Sequence, residues 1–205
     1  MRPALAHPGT AALLLAAATL LTPGPALGYA DGDLTRLRQT GICEGCDLRG
    51  ANLRGLSLRY ANLAGSDLRG ADLSGTTLYR AVLTGADLRG ARAREAVLSR
   101  AILSGANLGG MDLDGARLTR AVLRDAHLGE ASLAGATLYR ADLRGADLSG
   151  ARLDGANLGK AALEDAHLSG ASLHQVDLAH GRLQGLKTPR DADLSGARLR
   201  YADLS

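Results

Sequence analysis

Leucine recurs every fifth residue along most of this chain, and small and polar residues keep fixed places between the leucines. From Cys46 to Gly185 the sequence divides without a gap into 28 five-residue units, and 27 of the 28 central residues are Leu, from Leu48 to Leu183. Only Ala93 departs. Two residues before the centre, Ala stands in 21 of the units; the exceptions are Cys46, Leu56, Ser66, Thr76, Met111, Val176 and Gly181, most of them also small. The residue between these two positions is mostly Asp, Asn, Arg, Ser, Thr or His. A period of five cannot hold all the leucines on one side of a helix or of a heptad coiled coil. Two inward positions flank one outward position in each unit, and a corner follows.

The last residue of each unit carries a second, longer period. In three of every four units it is Gly in 16 of 21 cases. In the fourth it is never Gly but Tyr60, Arg80, Arg100, Arg120, Arg140, Lys160 or His180, at intervals of 20. A turn that needs positive φ at its third residue favours Gly. The spacing therefore predicts a four-sided coil with three Gly-type corners and one corner of another type. Each coil then buries four Leu and mostly four Ala. Burying one Leu contributes about 1.5–3 kcal/mol, so the leucines together offset much of the backbone entropy. Ala keeps the square narrow and leaves no room for a cofactor. Coils stacked about 4.8 Å apart make a rod of about eight coils.

Units such as Ala51-Asn52-Leu53-Arg54-Gly55, Ala71-Asp72-Leu73-Ser74-Gly75 and Ala146-Asp147-Leu148-Ser149-Gly150 resemble the A-(D/N)-L-x-x consensus of the pentapeptide-repeat family. The resemblance implies an all-β fold, a right-handed quadrilateral parallel β-helix with four pentads to the coil. It implies no shared biochemical activity. Some members of that family are acidic rods that resemble duplex DNA and protect or inhibit DNA gyrase, which supplies an alternative function. That role calls for a cytoplasmic location and an acidic surface, and this sequence points away from both.

The ends break the pattern in readable ways. Residues 1–30 read as a cleavable signal peptide: Arg2, an apolar run from Ala11 to Leu21, then Pro23, Gly24 and Pro25. Cleavage is expected after Ala30, with Gly28 and Ala26 nearly as well placed. The apolar run is about half of the roughly 20 residues a membrane span needs, so the mature chain is expected to be periplasmic or secreted, without a span. Residues 31–45 read as an N-terminal cap, with Asp33 capping a short helix that carries Leu34 and Leu37. Residues 46–205 form the repeat. After Leu183 the motif lapses and the next centre, Leu194, arrives one residue late, which predicts an irregular bulge near 186–191 around Pro189. The open coil at the C-terminal end offers a homodimer contact.

Composition narrows the function classes. The chain has 27 Gly, no Phe and no Trp, so no core of large aromatics exists. Lys and Arg number 24 against 21 acids, a net +3, with an isoelectric point of about 9.1. So weak an imbalance does not suggest a nucleic-acid binder.

Candidate chemistry is sparse. Cys43 and Cys46 both fall on inward positions; they form a disulfide, pack as two buried thiols, or serve a redox or metal role, the first being simplest in an oxidising compartment. His127, Asp147 and His167 share one outward column, read as an exposed polar ladder rather than a metal site. No Ser-His-Asp arrangement with a pocket is evident, so an enzyme is not expected, nor a metal or cofactor. The most specific feature is the corner column Arg80, Arg100, Arg120, Arg140 and Lys160, with Val82, Ile102 and Val122 two residues on. Tyr79 and Tyr139 precede it, and Asp125, Glu130 and Asp165 are candidates to neutralise it. Cations in register with outward aliphatics make a contact surface for a protein face or an anionic cell-envelope polymer.

Overall fold

The computed structural model describes residues 30–185 and 192–204. Apart from Ala30, the expected signal peptide lies outside the described residues, as does the expected bulge at 186–191.

Each pentad contributes one bridged residue, and each bridged residue pairs in parallel with the one 20 positions on: Asn62 with Val82, Val82 with Ile102, Ile102 with Val122. The side is too short for a longer strand, so the ladder consists of isolated bridges. Backbone bonds run from coil to coil: Leu48 N–H donates to the Asp67 carbonyl (2.8 Å) and Asp67 N–H to the Cys46 carbonyl (2.9 Å). Within the coil, Ala51 N–H donates to the Leu48 carbonyl (3.0 Å) and closes a β-turn at the corner. Backbone groups that would be orphaned in a narrow rod are paired in this way. Leucine centres from Leu48 to Leu183 are buried, and so is the Ala column beside them. Two inward polar residues are satisfied internally. Ser66 Oγ accepts from Cys46 N–H (3.2 Å) and donates to the Cys43 carbonyl (2.5 Å), while Thr76 Oγ1 donates to the Leu53 carbonyl (2.7 Å).

Across the break the pairing interval lengthens by one residue: Ser172 pairs with Asp193, Asp177 with Arg198 and Arg182 with Asp203. The inward leucines beyond it, Leu194, Leu199 and Leu204, are exposed.

At the other end, helix α1 (Asp31–Thr40) buries Leu34 and Leu37 against the first coil and ends at Gly41, which takes a left-handed φ of 68°. Asp33 does not cap it, contrary to the sequence expectation. Ala30 is the N-cap residue, and its carbonyl accepts from Asp33 and Leu34. Asp33 sits in the first turn, where its carboxylate suits the helix dipole. There it accepts from Asp47 N–H (2.9 Å), a donor on the edge of the first coil. Cys43 and Cys46, under the helix, form a disulfide with Cα atoms 5.3 Å apart.

Candidate functional site

The corner that is never Gly differs from the others in its residues and not in its backbone. Arg80, Arg100, Arg120, Arg140 and Lys160 have φ between 57° and 61°, the same left-handed region as Gly65 (63°) or Gly110 (61°) at the other corners. Tyr60 and His180 do likewise. The expectation of a different turn type at this corner is therefore wrong. Each corner makes the same hydrogen bond to the next coil: Arg100 N–H donates to the Thr119 carbonyl (3.0 Å) as Gly50 N–H does to the Arg69 carbonyl (2.8 Å). That constraint fixes φ whatever the side chain. An L-residue held left-handed costs roughly 1–2 kcal/mol, so the column carries a strain that Gly would relieve.

The second property of the corner is electrostatic. Many arginines elsewhere on the rod are paired with face acids. Arg49, Arg69 and Arg89 each hold the Asp two residues earlier, at 2.6 Å. Arg124 and Arg144 share Asp142, and Arg94 lies 3.2 Å from Asp112. Hydrogen bonds from Arg49, Arg69 and Arg89 hold the carboxyls of Asp47, Asp67 and Asp87 below the usual carboxylate range. No ion pair among the described residues involves Arg80, Arg100, Arg120, Arg140 or Lys160. The expected neutralisers, Asp125, Glu130 and Asp165, occupy other corners with left-handed φ of 55–58°. They reach none of these cations within ion-pair distance.

All five cations are exposed. They stand along one edge at steps of about 4.8 Å. Val82, Ile102 and Val122 follow as a continuous bridged ladder on the next face, Ile102 being 40% exposed. Tyr79 has two guanidiniums near its ring, Arg59 at 4.8 Å and Arg80 at 5.7 Å from its centre, and meets Tyr60 edge-on. Arg140 stands 5.5 Å from the Tyr139 ring. The column ends where His180 stacks on Tyr201, with 4.9 Å between ring centres.

The structure thus brings the sequence-named stripe together and adds a flank that the pentad pattern did not single out. The bridged ladder preceding the corner runs Thr77, Val97, Arg117, Thr137. Arg117 too has no ion pair among the described residues. The 20-residue period, followed at the bridged position as well as at the corner, contains the signal for it.

The remaining candidates separate. His127, Asp147 and His167 form one bridged ladder. Hydrogen bonds from Ser149, with a smaller contribution from the two imidazoles, hold the Asp147 carboxyl low. Asp33 lies beside Cys43 and Cys46, but sulfurs joined in a disulfide offer no thiolate to a metal.

The interior period, the bridged ladders and the left-handed corners agree with one repeat family, whose model, pentapeptide repeats (8 copies), matches over residues 46–85, 81–120, 116–155 and 146–185. The chain belongs to the pentapeptide-repeat family. Pentapeptide-repeat proteins of known structure are right-handed quadrilateral β-helices, and they are generally non-catalytic structural or binding proteins. One similar structure is HetL, a pentapeptide-repeat protein involved in heterocyst differentiation regulation in the cyanobacterium Nostoc. It is 35% identical over 79% of this chain and 82% of that one, with a TM-score of 0.37. A pentapeptide-repeat protein from the Arabidopsis thaliana thylakoid lumen is 31% identical over 60% of this chain and 72% of its own, with a TM-score of 0.42. Trypsin-treated QnrB1, a plasmid-mediated fluoroquinolone resistance protein, is 20% identical over 79% of this chain and 87% of its own, with a TM-score of 0.49. No curated protein sequence matches the chain.

Proposed function

We propose that this protein is a non-enzymatic, exported binding or scaffold protein that engages an anionic partner through its basic corner. In this reading it is a rod of about eight coils, capped by α1. One observation carries the proposal: five cations occupy a left-handed corner where Gly would relieve strain, and none is ion-paired among the described residues, although most arginines on the other faces, such as Arg49, Arg69, Arg89 and Arg124, are. Turn chemistry gives no reason to keep long cations there, and like charges in register repel. An external partner supplies the reason. The inward positions are filled by Leu and Ala, so the residues free to act stand on the outside.

Export is supported by the leader-like first 30 residues and by the Cys43–Cys46 pairing, which an oxidising compartment sustains. Because Ala30 supplies the N-cap of α1 and donates to the Asp47 carbonyl (3.1 Å), cleavage after Ala26 or Gly28 suits the fold better than cleavage after Ala30. N-terminal sequencing of the mature protein checks this. Recovery from the cytoplasm with residues 1–25 retained would contradict it. A DNA-like acidic rod is the weaker reading, since Asp47, Asp67 and Asp87 are masked by arginines.

A charge-matched pair of variants tests the corner. Arg100→Glu with Arg120→Glu should elute from a carboxylate resin at clearly lower salt than Arg49→Glu with Arg69→Glu, although both change the net charge equally. Equal elution would mean that the corner has no special exposure to anions.

A further inference from the structure

The corner has chemistry on both flanks that bare charge recognition does not require. Between the coils of Arg80 and Arg140 neither the corner nor the bridged ladders on its two flanks carry an acid, Glu95 and Asp125 standing at the adjoining corners. The first carboxylate met on the following face is Asp142, already held by Arg124 and Arg144. Within that window stand the free cations, the Val82–Ile102–Val122 ladder, and the hydroxyls of Ser99 and Thr119 in the position just before the corner. Tyr79 and Tyr139 close it at its two ends, three coils apart, a span of about 14 Å at the inter-coil step.

These groups suit a ligand with three properties. It carries carboxylates at a regular pitch, which guanidiniums bind by paired hydrogen bonds. It has C–H faces, which aromatic rings and aliphatic ladders cover. It has hydroxyls between them. Its length must also match, because a row of equal, weak sites becomes tight only for a polymer that engages several at once. An acidic protein face presents its carboxylates irregularly and would meet only part of the ladder. We infer that the corner binds a linear acidic polysaccharide, of the polyuronate type, laid along the rod axis with its carboxylates toward Arg80–Arg140 and sugar rings against Tyr79 and Tyr139. This rests on the basic-corner reading above and adds the identity of the ligand class.

Calorimetric titration of the full mature protein at physiological salt tests it, with polygalacturonate, inorganic polyphosphate and neutral dextran as probes. Polygalacturonate should bind, dextran should not, and galacturonate monomer should fail to compete. Arg100→Gln with Arg120→Gln should weaken polygalacturonate binding tenfold or more. Tyr79→Ala with Tyr139→Ala should weaken it severalfold while leaving elution from the carboxylate resin unchanged. Thermal melts of each variant confirm that it is folded, and the single Tyr139→Ala change serves if the double variant is not. Polyphosphate binding as tight as polygalacturonate, or tyrosine variants that bind polygalacturonate normally, would overturn the polysaccharide inference while leaving the corner intact as an anion site. Failure of the resin comparison would remove the corner itself.

Discussion

At the scale of single residues, the decisive fact is a φ angle. Never-Gly spacing at every twentieth residue was legible in the sequence, and so were the cations. The backbone beneath them was not. Composition suggests that a corner without Gly is a different turn, yet Arg80 and Arg100 sit at φ of 57° and 61°. Coil closure overrides local preference, and no single residue records that. Asp33 teaches the same lesson in a smaller way: its spacing from Leu34 and Leu37 fits a cap, while its carboxylate serves the neighbouring coil. Face carboxylates give a pH prediction. Asp72 would be raised by burial, but hydrogen bonds from Ser74 and Arg54 hold it down at about 2. Asp47, Asp67 and Asp87 are lowered as well. Groups lowered on folding contribute fully above the ordinary carboxylate value of about 4, and that contribution is lost as pH falls through the folded values. The thermal midpoint should therefore hold from neutral pH to about 4 and fall between there and pH 2, less steeply in Asp72→Asn. A fall beginning well above pH 4 would contradict this.

At the scale of the element, the pentad was almost wholly legible. Leu and Ala positions are so regular that their spacing alone assigns inward and outward residues. Leu118 is buried and Thr119 half-buried, so Leu118→Asp should prevent folding or cost several kcal/mol, because an unpaired charge would enter the core. Thr119→Asp should leave the midpoint within a few degrees. Equal melting of the two would refute the register. The covering of the first coil was legible only in outline: Leu34 and Leu37 announced a helix, but its bonds to Asp47 depend on how it lies across the coil. The disulfide beneath it closes a short loop, with its cysteines three positions apart. Reduction should cost about 2 kcal/mol and loosen the first coil before the rest. Hydrogen exchange should show it, as faster exchange at Leu48 and Asp67 with little change at Leu118. Uniform loss of protection would mean the rod unfolds as one unit.

At the scale of the whole molecule, charge is sorted around the square. Non-Gly residues at the three Gly-type corners are acids or amides, namely Glu95, Asp125, Glu130, Asp165 and Gln175, whereas the fourth corner carries cations and aromatics. A net charge of only +3 conceals this. Sorting becomes visible only when the period of 20 places residues on sides, and pairing only when side chains are in place. The sequence could name the corner cations but not tell that Arg49 and Arg69 are masked while Arg100 and Arg120 are not. If the corner cations are kept at the expense of stability in order to bind, Arg100→Gly with Arg120→Gly should reveal it in one protein. Gly relieves left-handed strain of roughly 1–2 kcal/mol per site, offset in part by its own entropic cost of about 0.5–1 kcal/mol, and like-charge repulsion is removed as well. The double variant should melt a few degrees higher than the parent and yet elute from the carboxylate resin at markedly lower salt than the Arg49→Gly, Arg69→Gly control of equal charge. A lower melting temperature together with elution matching that control would contradict the binding role of the corner.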